Sequence, residues 1–185
     1  MSERRIPIIP TIIVIAAAAT MIALGIWQLG RMEEKEAQIA LFEQALQEGE
    51  MLAEFPANPL DNLYRVTALD CEEAGEWNAI AGRNDRGQSG YVQIIDCPAA
   101  PVVLGWSQGP NRAQWQGGEL TGMIAPGGEQ GFRLVADPPL AGLQANAVPD
   151  PGDLPNNHLA YAGQWFFFAL SALVIYILAL RRRWR

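Results

Sequence analysis

Two stretches of this 185-residue chain carry no charged side chain: residues 8–29 (IIPTIIVIAAAATMIALGIWQL) and residues 159–180 (LAYAGQWFFFALSALVIYILAL). Each is 22 positions long. A helix rises about 1.5 Å per residue, so roughly 20 apolar residues cross a hydrocarbon core about 30 Å thick. Each run is therefore read as one transmembrane helix, and a wholly soluble fold is excluded. The first run has a short basic start and four alanines (Ala16 to Ala19), which would also suit a cleaved signal peptide. Its length exceeds a usual signal core, so a signal anchor is the expectation.

The charges around these runs predict an orientation. Outside them, Arg4, Arg5, Arg181, Arg182, Arg183 and Arg185 stand against Glu3, a net +5. Residues 30–158 hold seven basic and nineteen acidic residues, a net −12. Positive flanks stay in the cytoplasm. The expected layout is a bacterial inner-membrane protein with cytoplasmic tails at 1–7 and 181–185 and a periplasmic middle. So acidic a middle is a poor partner for nucleic acid, whose phosphates demand clustered Lys and Arg.

Residues 31–50 contain no Pro, and Ile39, Phe42 and Leu46 recur at i, i+3 and i+7. This predicts that the first helix continues into an amphipathic stalk, 30–50, whose stripe docks on the extramembrane domain. Pro56 and Pro59 then break the chain. The domain at 51–158 reads as about six short strands: 64–69, 77–81, 90–95, 101–107, 119–124 and 132–136. Turn residues Asn84, Asp85 and Gly87 and the pairs Gly117-Gly118 and Gly127-Gly128 punctuate them. The expected fold is a mainly β domain, an antiparallel sheet or small open barrel, between two transmembrane helices. Residues 137–157, rich in Pro, Gly and Asn, read as a returning loop.

Cys71 and Cys97 both fall in the translocated part, where an oxidising compartment favours a disulfide. A copper or redox site is the alternative, but neither a C-x-x-C spacing nor nearby histidines accompany them. Signatures of catalysis are missing: there is no G-x-S-x-G, no H-E-x-x-H and no phosphate loop. What stands out lies at the outer ends of the two apolar runs. Trp27 and Gln28 share one side of a helix with Arg31. On the second run His158, Tyr161, Ala162 and Trp165 form one stripe at i, i+3, i+4 and i+7. An aromatic belt with an interfacial histidine explains that stripe. So does a haem site, with neutral imidazole on the iron and flat rings against the macrocycle.

These residues also carry a resemblance. LGIWQLGRMEEK (24–35) is similar to the L-G-x-W-Q-x-x-R-x-x-x-K signature that follows the first span of the SURF1 family, the cytochrome c oxidase assembly proteins. NNHLAYAGQWFFFA (156–169) resembles its N-H-L-x-Y-A-x-x-W-F motif, and residues 90–111 resemble its middle block ending in Gly-Trp. Val103 and Leu104 stand where the family usually has Asn-Arg, and the two cysteines have no counterpart in the general pattern. The resemblance implies a non-enzymatic assembly factor that helps haem a reach the catalytic subunit of a haem–copper oxidase. It implies His158 as haem-iron ligand. Tyr161, Trp165 and Trp27 would then line the haem, and Arg31 would pair with a propionate. A stably bound accessory subunit of the oxidase or of a respiratory supercomplex is a second reading. A membrane-tethered sensor is a third, although a five-residue tail leaves no room for an output module.

Overall fold

The computed structural model describes residues 6–184; Glu3, Arg4, Arg5 and Arg185 of the charged tails lie outside the described residues. The chain divides into two compact units. One comprises the residues up to Gln38 together with Pro155 onward, and the other Ile39–Leu154.

The first unit is a helix pair. Helix α1 runs Ile8–Glu48 without a break, so the apolar run and the stalk are one element, and α2 spans His158–Arg183. Both are long and apolar enough to cross a membrane. They run antiparallel, with Thr11 bonded to Tyr176, Gly25 against Phe166 and Gln28 against His158. The buried positions are Ala18 and Gly25 on one helix and Ala162 and Ala169 on the other. Small residues let two helix backbones approach closely, the packing that works where no hydrophobic effect drives helices together. The isoleucines and phenylalanines point outward: Ile8 and Ile9 are each 72 % exposed, an apolar surface that water does not tolerate at this extent.

The second unit is a seven-stranded sheet: β1 (Met51–Leu52), β2 (Val66–Cys71), β3 (Trp77–Arg83), β4 (Ser89–Asp96), β5 (Pro101–Ser107), β6 (Gly118–Pro126) and β7 (Phe132–Ala136). Their order is β1-β2-β6-β7-β5-β4-β3. The sheet is mixed rather than antiparallel, which corrects the sequence reading. Consecutive strands pair as expected in β3–β4, β4–β5 and β6–β7, but β5 and β6 do not. The connection at 108–117 carries β6 across to β2, and β7 returns into the gap beside β5 running parallel to it. The two-residue β1, which has no periodicity to read, adds a second parallel pair on β2.

Nor is the sheet a closed barrel; β1 and β3 remain as edges. It is nevertheless strongly curled. Cys71 ends β2 and Cys97 follows β4, four steps apart in the sheet order. At about 4.8 Å per step a flat sheet would hold them roughly 19 Å apart, yet they form a disulfide with Cα atoms 5.5 Å apart. The concave face packs Leu69, Cys71, Ile95, Val102, Leu104, Ile124 and Leu134 into the main core. Val92, Val103 and Trp106 form a second cluster. β5 is buried from Val102 to Trp106, as a central strand covered on both faces should be. Tyr64, just before β2, sits at φ 66° with its N–H donating to the Ile124 carbonyl (2.7 Å) and its ring against Phe42 of α1 (centroids 5.2 Å apart).

Candidate functional site: a histidine–amide pair at the helix ends

His158 is the first residue of α2, and Gln28 lies on α1 some twenty residues before that helix ends. Antiparallel packing brings the two side chains together. His158 Nδ1 and Gln28 Oε1 are 2.7 Å apart. With the amide oxygen toward the ring, Nδ1–H donates, which orients the imidazole and turns Nε2 away from Gln28. A metal-binding imidazole is commonly held this way, through its other nitrogen. The histidine is half-buried, so its free edge is reachable.

The other residues singled out from the sequence are placed differently. Tyr161 follows one turn along α2 and is 51 % exposed, and Trp27 on α1 is 56 % exposed. Trp165, two turns along, is half-buried and meets Phe168 edge-on (6.3 Å, 87°). Arg31 forms an ion pair with Glu34 on its own helix, both side chains exposed. Gln28 is the residue that sequence reasoning placed on the right helix side but left out of the site. The available signal was its amide, the single Asn or Gln within residues 8–29, since a polar group in an apolar run demands a partner. Among the described residues no cluster of three His, Cys, Asp or Glu side chains is positioned to hold a metal ion. His158 contributes one imidazole at this place.

Two long apolar helices flanking a mixed sheet are compatible with a membrane protein. The family model of the SURF1 family matches residues 15–170, and the chain belongs to that family. No curated protein matches it.

Proposed function

We propose that this protein is a non-enzymatic assembly factor for cytochrome oxidase, a role its family membership suggests, and that it handles haem a on the way to the catalytic subunit. The observation that supports the reading is the His158–Gln28 bond, which holds the imidazole through Nδ1 and turns Nε2 away from Gln28 at the end of an apolar helix pair. Haem a is cargo here; its iron supplies the coordination site and its absorption the readout. His158 Nε2 offers the ligand, and Gln28 holds the ring. Tyr161, Trp165 and Trp27 offer aromatic surface to a flat hydrophobic molecule. Arg31, whose present partner Glu34 is exposed and exchangeable, is the cation available to a propionate.

In this reading the helices cross the bacterial inner membrane and the acidic sheet unit is periplasmic, with both termini inside. The bilayer and the haem-bearing oxidase subunit are the partners. Capture of the full chain from native membranes, with subunits identified and haem measured, tests the role. The expected result is the catalytic subunit co-purifying with haem a, and less than one copy of this chain per mature oxidase. One copy per active enzyme would make it an accessory subunit instead, and capture without any oxidase subunit would contradict both.

A further inference from the structure

The hydrogen-bonding side chains of the two apolar runs fall into two sets. Between the helices they are paired: Thr11 with Tyr176 and Gln28 with His158, while Thr11 and Thr20 also donate to carbonyls of their own helix. Gln164 and Ser171 of α2 take part in none of these bonds. Their places on the helix explain why. α2 buries Ala162 and Ala169 in its contact with α1. Gln164 and Ser171 each lie two residues beyond one of those alanines, about 200° round a helix of 3.6 residues per turn. They therefore share the face of α2 turned away from α1. Phe167, Val174 and Leu178 complete that face and are 65, 45 and 56 % exposed. Gln164, Ser171 and Leu178 recur every seven residues, with Phe167 and Val174 three places after the first two. That is the spacing of a coiled-coil seam. An amide facing hydrocarbon finds no water there, so it stays unsatisfied unless another helix supplies the partner.

We propose that α2 pairs with α2 of a second copy of this chain, through Gln164 and Ser171 on this outer face. The inference rests on α2 crossing a bilayer and not on the haem role. Copies inserted the same way round are related by a two-fold axis along the membrane normal, so each residue meets its own counterpart at equal depth. A glutamine side chain carries both donor and acceptor. Gln164 Nε2–H donates to the amide oxygen of its counterpart, and symmetry supplies the reverse bond. The Ser171 hydroxyls repeat the arrangement one heptad along. Lipid tails offer the amide nothing, and an unrelated helix would need a polar group at the matching depth; a second copy has one by construction.

The test is oxidative crosslinking of the purified full chain in phosphatidylcholine vesicles, over a range of protein-to-lipid ratios. Cys71 and Cys97 are joined to each other, so one introduced cysteine reports alone. Leu178→Cys lies on the seam. Ile9→Cys is the control: it is 72 % exposed on α1, and the Thr11–Tyr176 bond sets it level with Leu178. A disulfide-linked dimer is expected from Leu178→Cys and not from Ile9→Cys. Adding Gln164→Leu should raise the protein-to-lipid ratio needed for half-crosslinking about tenfold, and Gln164→Asn should raise it much less. Equal crosslinking at the two positions, or a dimer indifferent to Gln164→Leu, overturns the proposal. So does the absence of any dimer, which would assign the outer face to lipid or to another protein's helix. Failure to recover the chain with the vesicles would overturn the membrane span itself, and the pairing with it.

Discussion

Gln28 and His158 illustrate what one residue owes to a partner 130 positions away. The histidine was legible from the sequence because it opens a stripe with Tyr161 and Trp165. Its orienting bond was not, since nothing in either run sets the rotation of one helix against the other; Gly25 and Ala162 do that by allowing close approach. If Gln28 holds the ring for a ligand role, Gln28→Ala should lower haem retention by about ten- to a hundredfold, as loss of an orienting partner does elsewhere. Arg31→Ala should cost less, because an exposed charge pair is worth about 1 kcal/mol or below. Haem titration of the purified variants ranks them, and a larger loss from Arg31→Ala than from Gln28→Ala would reverse the assignment.

The elements divide by how local their cause is. Strand positions followed from β-branched runs and turn residues, and β5 and β7 fall where the sequence predicted them. Strand order did not, because the β5–β6 crossing depends on which edges are free once the core closes. On the helix pair, a β-carbon at Gly25 would lie 2.5 Å from the Phe166 ring. Gly25→Leu should therefore force the helices apart and break the His158–Gln28 bond, seen as lost crosslinking between cysteines introduced on facing helix positions. Gly25→Ala, which the exposed Phe166 ring can accommodate by swinging outward, should do much less. In the sheet unit, burial pushes the Tyr64 hydroxyl above its ordinary value, and the carboxylates of Asp150 and Asp153 push it further. A raised folded value means stability that is complete below about pH 10, where free tyrosine titrates, and that is lost as pH rises through the folded value. Melting curves across alkaline pH should fall for the wild type and flatten for Tyr64→Phe; identical profiles would remove Tyr64 as the cause.

At the scale of the molecule, the disulfide closes the curl that hydrogen bonding leaves open. Its two cysteines are 26 residues apart, and a loop of this length contributes about 3–4 kcal/mol in the chain-entropy model. Replacing both with serine should lower stability of the sheet unit by about that much, measured by denaturant unfolding, with the helix pair unaffected. An unchanged midpoint would show that the curl needs no staple. The charge asymmetry of the chain, with a middle of −12 between basic tails, predicts that a reporter fused after Arg185 is active in the cytoplasm; activity only in the periplasm would invert the topology. A haem-ligand role for His158 rests on its placement at the helix ends, beside Gln28. It is tested most directly by purifying His158→Ala from membranes that make haem a, then measuring bound haem on the variant and haem in the oxidase of the same cells. The variant should keep its fold and its disulfide, lose the bound-haem absorption, and leave the oxidase short of haem. Full haem content with full oxidase maturation in His158→Ala would contradict the account.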